Sequence, residues 1–196
     1  MFQVRFHGRG GQGVVTAAEL LSLAAFLEGE HAQAFPSFGS ERTGAPVVSF
    51  CRIDERPIRN REPVLEPDAV VVQDVTLVGQ IDVLAGLGST GYLLVNTSRP
   101  VAGLALGDLA GHHPERLRSV PATELALEHV GRPVPNAVLL GGLAALTGIV
   151  GLDALSAAIT ERFPAPLAKA NVAAATAAFA LVAGNDDKEP ANAATA

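Results

Sequence analysis

Gly8, Gly10 and Gly13 stand in the spacing G-x-G-x-x-G, between an apolar strand-like stretch, FQVRF, and an Ala/Leu-rich helical one, VVTAAELLSLAA. Glycines in such a loop let backbone come close to a ligand, and a helix start leaves amide hydrogens unpaired and carries partial positive charge. An anionic group, phosphate above all, is the chemistry this loop suits. Gly8, Arg9, Gly10, Gly11, Gln12 and Gly13 are therefore candidate binding residues. A second polar loop, PSFGSERTG over 36–44, adds Ser37, Ser40, Arg42, Thr43 and Gly44. Hydroxyls and an arginine fork are good phosphate partners. If the strands before the two loops are neighbours, both loops share the carboxyl end of one sheet, where open α/β sheets bind ligands.

Competing readings of the glycine loop are testable on the sequence. A dinucleotide site needs an Asp or Glu about twenty residues on, at the end of the second strand. That strand ends AQAFPS, with no carboxylate before Glu41, and Glu28 and Glu30 come too early. A Walker-type loop fails because no Gly-Lys-Ser/Thr follows. A tight turn without a ligand stays open, as does a solvated surface loop for residues 36–44. His7 is the one histidine beside the loop, and a structural role suits it better than acid–base work. His112, His113 and His129 lack metal-ligand spacing. No catalytic residue and no metal ligand is assigned. Cys51, the single cysteine, lies in the apolar run APVVSFCRI and reads as a buried thiol. One thiolate cannot carry an iron–sulfur cluster.

The elements that must position these loops alternate. Strands are expected at 2–6, 31–35, 45–53, 68–74 and 91–98, with a short one near 120. Helices are expected at 14–28, over VTLVGQIDVLAGL (75–87), at 123–131, and in three segments from 135 to 182. The pattern predicts an α/β fold: a mostly parallel central sheet, helices on both faces and a helical C-terminal part. Residues 1–184 form one domain and 185–196 a polar flexible tail.

The formal charge is −6, with no Lys/Arg cluster, which argues against a nucleic-acid partner. Nothing resembles a signal peptide, and no uninterrupted apolar run approaches the roughly 20 residues of a spanning helix. A cytoplasmic location without membrane contact is expected.

Together the two loops resemble the gamma subunit of the 2-oxoacid:ferredoxin oxidoreductases, the pyruvate and ketoisovalerate oxidoreductase family. The matching stretches are VRFHGRGGQGVVTAAELLSLAAFLEG, AFPSFGSERTGAPVVSFCRI and PNAVLLGGLAALTGIVGLDALSAAITERF, with DAVVVQDVTL and GYLLVNTS between, so the likeness covers residues 2–182. The resemblance implies a subunit of a thiamine diphosphate-dependent complex that converts 2-oxoacid, CoA and oxidised acceptor to acyl-CoA, CO2 and reduced acceptor. It implies thiamine diphosphate, Mg and 4Fe-4S clusters on partner alpha, beta and ferredoxin-like delta subunits, with ferredoxin or another carrier as acceptor. It implies a gamma subunit that carries no redox cofactor and contributes CoA binding and assembly. On that reading the two loops hold CoA phosphates. Alternatives are a stand-alone Rossmann-type nucleotide-binding oxidoreductase and a purely structural assembly subunit.

Overall fold

The computed structural model describes residues 1–37, 44–106 and 111–186. Its centre is a six-stranded mixed sheet. The strands are β1 (Phe2–Arg9), β2 (His31–Pro36), β3 (Pro46–Asp54), β4 (Ala69–Val72), β5 (Tyr92–Asn96) and β6 (Leu117–Val120). Their order across the sheet is β2-β3-β1-β4-β5-β6. β1, β4, β5 and β6 run parallel, while β3 is antiparallel to both β1 and β2. β1 and β2, the strands before the two loops, are not direct neighbours, because β3 folds back between them. The double reversal nevertheless leaves β2 parallel to β1, so their carboxyl ends share a rim.

Alternation along β1 decides which side each residue serves. Val4 and Phe6 face one side with Cys51, Ile53, Ala69, Val71, Leu94 and Val120, and the helices pack there. The helices are α1 (Val14–Leu27), α2 (Ala122–Val130), α3 (Asn136–Thr147), α4 (Leu152–Arg162) and α5 (Ala165–Asp186). Alanines 17, 18, 24 and 25 of α1 are buried and small enough to seat it close to the strands. A Cβ on Gly141 of α3 would collide with the Ala175 carbonyl of α5, so that glycine is what permits the two backbones their approach. α5 is apolar and long enough by composition to cross a membrane over Ala165–Gly184. Its Ala174, Ala175, Ala178 and Val182 are buried in the same core as α3 and the sheet.

The α/β class, the mostly parallel sheet and the helical C-terminal part are as expected. Helices on both faces are not. Among the described residues, the second face (Val70, Val72, Leu93 and Val95) is covered by 3-10 turns and irregular chain carrying Leu77, Val83, Val101 and Leu106. The segment 75–87, expected to be a helix, forms only a 3-10 turn at Val75–Leu77. Gly79 and Gly86 take positive φ of 84° and 74°, which breaks any helical run. On this face β1 presents Arg5 and His7, both buried. Arg5 donates to the carbonyls of Val64, Val83 and Ala85, and Arg52 of β3 donates to those of Asn60 and Glu62. Two guanidinium groups thus pin the irregular cover to the sheet. The predicted tail lies outside the described residues from 187 onward.

Candidate functional site

Chain direction changes sides at the carboxyl rim. From β1 the chain crosses the helix side through α1 to β2. From β4 it crosses the opposite side to β5. The gap between β1 and β4 is therefore a topological switch point, the place where open α/β sheets accept ligands. The glycine loop closes one side of it.

Gly13 caps α1 with a left-handed backbone (φ 71°). Its missing Cβ is also required by α3, because a Cβ there would lie 2.5 Å from Asn136 Nδ2. The starts of α1 and α3 consequently abut, and α2 begins just after β6 at the same rim. Among the described residues nothing accepts from the amides of Gly11, Gly13 and the first residues of α1.

The two predicted loops meet directly. Gly10 N donates to Ala45 O at 3.0 Å, and Gly44 N donates to Gly10 O at 3.2 Å. Arg9 Nη1 donates to the Gly44 carbonyl at 3.1 Å. Ser37 leaves β2 on the same rim, its amide donating to Val48 O at 2.8 Å. Gly8, Arg9, Gly10, Gly11, Gln12, Gly13, Ser37 and Gly44 are thus gathered at one end of the sheet. Ser40, Arg42 and Thr43 lie outside the described residues.

Arg9 and Gln12 are not free groups waiting for a ligand. Asp74, the second residue past β4, organises both. Its carboxylate accepts from Gln12 Nε2 at 2.7 Å, from Thr76 N at 2.9 Å and from the Thr76 hydroxyl, and lies 3.3 Å from Arg9 Nε. Gln12 Oε1 accepts in turn from Arg9 N at 2.8 Å. Arg9 also donates to Thr76 Oγ1 and Gln80 Oε1. Burial pulls the Asp74 carboxyl up, but the bonds from Thr76 and Gln12 and the Arg9 charge outweigh it and hold its pKa below the ordinary value. The sequence gives one sign of this role: an Asp just past an apolar β-branched run, at a strand's carboxyl end. The partners Thr76 and Gln80 leave no such mark.

His7 sits one residue before the loop and is 5% exposed. Arg5 Nε donates to His7 Nε2 at 3.0 Å, so the ring proton sits on Nδ1. Burial and the Arg5 charge push its pKa down to about 4. The ring is thus held neutral and turned toward Arg5.

The family model described as pyruvate ferredoxin/flavodoxin oxidoreductase matches residues 3–181. The chain is 46% identical over 179 residues to the pyruvate/ketoisovalerate oxidoreductases common subunit gamma of Pyrococcus abyssi, which covers 91% of this chain and 96% of that one. It is 48% identical to the pyruvate synthase subunit PorC of Methanothermobacter thermautotrophicus, over 91% of this chain and 94% of the other. The crystal structure of the pyruvate oxidoreductase subunit PORC from Thermotoga maritima superposes with a TM-score of 0.79. It is 37% identical and covers 91% of this chain and 94% of its own.

Proposed function

The chain belongs to the pyruvate ferredoxin/flavodoxin oxidoreductase family, and from that premise we propose that it is the gamma subunit of a 2-oxoacid:acceptor oxidoreductase complex that binds CoA. The complex converts 2-oxoacid, CoA and oxidised acceptor to acyl-CoA, CO2 and reduced acceptor. Thiamine diphosphate with its Mg, and the 4Fe-4S clusters, belong to the alpha, beta and delta partners, and ferredoxin or another carrier takes the electrons. On this reading the subunit is non-redox: its one cysteine, Cys51, is fully buried in the core, and a single thiolate does not hold an iron–sulfur cluster.

The observation that carries the CoA role is the hydrogen-bonded junction of the two loops above the β1/β3 pair, next to the β1/β4 switch point, with amides at the start of α1 that have no acceptor among the described residues. Those amides and the helix dipole favour the CoA phosphates. Arg9, already oriented by Asp74 and Thr76, supplies the nearest positive charge, and Ser40, Arg42 and Thr43 are proposed to complete the site. The CoA thiol reacts at the thiamine group on the partner chains, and this chain's part is to hold and orient the nucleotide end.

Steady-state kinetics of the assembled complex test the role. Gly10→Val closes the loop with a side chain, and Arg42→Ala removes a guanidinium. Each is expected to raise the KM for CoA by about ten-fold or more while kcat at saturating CoA changes little. An unchanged CoA dependence in both variants removes the CoA role and leaves assembly as this subunit's task.

A further inference from the structure

β2 is an edge strand, and its outer side is bare. Ser37 N donates to Val48 O of β3 at 2.8 Å, and the bonds of an antiparallel pair fall on every second residue. With Phe35 opposite Phe50, Gln33 opposite Arg52 and His31 opposite Asp54, the odd-numbered residues of β2 therefore bond to β3. The amides and carbonyls of Ala32 and Ala34 point the other way, past the edge of the sheet, where among the described residues no strand pairs with them. Natural edges are blunted by charge, proline, bulges or brevity. β6, the opposite edge, has four residues with Arg118 among them, and the 3-10 turn Val101–Gly103 packs beside it. β2 has six residues, HAQAFP, without Asp, Glu, Lys or Arg, and Pro36 closes only its last position.

Gln33 lies at the centre of this stretch with its side chain unfinished. Its Oε1 is buried and has no hydrogen-bond partner among the described residues. Buried amide oxygens are nearly always paired, and an orphan one marks a contact completed by something else. The bare edge and the orphan amide share one solution. A second β2, laid antiparallel along the first with the two-fold axis at Gln33, pairs Ala32 of each copy with Ala34 of the other. That makes about four backbone hydrogen bonds. The ladder ends there, because Pro36 has no N–H and the Glu30 amide already donates to Ala25 O. In this register the two Gln33 residues face each other as a non-hydrogen-bonded pair, the closer kind, with Cβ atoms about 4.5–5.5 Å apart. Their amides can then bond to one another, oxygen to nitrogen, in both directions. His31 meets Phe35 of the other copy, so no like charges are opposed.

We propose that β2 is a self-pairing edge, through which two copies of this chain join their sheets into one. Backbone bonds at two residues are too few by themselves, and α1 adds apolar contact. It packs over β2 and β3 on one side and against α3 and α4 on another, which leaves Phe26, 67% exposed, on its free side. The two-fold axis brings the two α1 helices side by side on the same face of the joined sheet, where Phe26 is available to be covered. None of these groups belongs to the glycine loop, so the inference stands apart from the CoA reading.

Gln33→Cys tests the register. Across the axis the two thiols fall within disulfide reach, and Cys51, the only native thiol, is buried. Oxidation of the full chain carrying Gln33→Cys, alone and in the assembled complex, is expected to give a disulfide-linked pair of this chain on a non-reducing gel, and the wild type none. Sedimentation velocity of the full chain is expected to show a dimer at micromolar concentration. Gln33→Lys and Gln33→Glu each set like charges opposite one another, and Ala34→Pro removes an outward N–H without touching a bond to β3. Each is expected to raise the dimer dissociation constant by about ten-fold or more, and an equal mixture of the Gln33→Lys and Gln33→Glu chains is expected to recover the dimer. A wild-type chain that stays monomeric overturns the proposal. So does a dimer that all three variants leave unchanged, or a Gln33→Cys chain that links to a different subunit instead of its own copy. Circular dichroism of each variant guards against reading an unfolded chain as a lost contact.

Discussion

His7 and Asp74 flank the glycine loop and answer pH in different windows. His7 stays neutral in the folded chain down to about pH 4, whereas a free imidazole takes its proton near about 6.5. Between those values the unfolded chain binds more protons, so this contribution is whole above about pH 6.5 and shrinks as the pH falls toward 4. Urea midpoints measured across that range are expected to fall with pH. His7→Gln, whose side-chain oxygen can accept from Arg5, is expected to flatten the fall, and an unchanged slope refutes the assignment. Asp74 acts lower: its depressed pKa adds stability above its unfolded value near about 3.9 that is lost below it. Asp74→Ala strips the acceptor from Gln12, Thr76 and Arg9 together, and should cost about 1–3 kcal/mol in thermal or urea unfolding. Asp74→Asn keeps an acceptor for Thr76 and should cost less. At this scale the sequence was half legible. Gly8, Gly10 and Gly13 declare themselves because a loop needs their backbone freedom. Thr76 and Gln80 do not, because ordinary polar residues acquire roles only through what the fold sets opposite them.

Elements were legible where one period ruled. β1 alternates, AVVV of β4 is apolar on both faces, and α1 is apolar over most of its circumference, where the sheet, α3 and α4 pack on it, with Glu19 on the exposed side. The segment 75–87 misled because its apolar residues fall at helical spacing while serving another purpose. Leu77 and Val83 cover the sheet from turns that Gly79 and Gly86 impose. The return of β3 between β1 and β2 was hidden for a different reason: pairing order is a non-local property, and nothing in AFPSFGSERTGAPVV states which edge the next strand takes. The α3–α5 contact shows how sharply local chemistry still governs an element. Gly141 faces the Ala175 carbonyl with no room for a methyl group. Gly141→Ala must push the helices apart and is expected to lower stability by about 1–3 kcal/mol despite alanine's better helix propensity. Gly184→Ala on α5 meets open space, so it should be neutral or slightly stabilising. The pair of denaturation midpoints separates close approach from propensity.

The whole molecule is acidic, and three of its helix starts gather at one rim. Against a formal charge of −6, the starts of α1, α2 and α3 gather at the carboxyl rim, each bringing the positive end of its dipole. The opposite rim carries Glu28, Glu30, Asp54 and Glu55 around a separate hollow. Attraction at the loop is short-range, and screening at about 0.15 M salt decays over about 8 Å. Charges on the far rim should therefore matter little to CoA. Glu30→Lys is expected to leave the KM for CoA unchanged, while Gly10→Val does not. The same division fits the proposed dependence on partners. On that reading the chain offers a surface for the nucleotide end of a cofactor, while its single cysteine, Cys51, is buried in the core. Purified through a tag on this chain, the protein is expected to bring larger subunits with it and a brown iron–sulfur absorbance. Stripped of them, the chain should be colourless and retain its fold by circular dichroism. Visible absorbance that stays with the isolated chain would mean a cluster bound without thiolate ligands from more than one cysteine of the monomer, and the assignment of redox chemistry to the partners would fail.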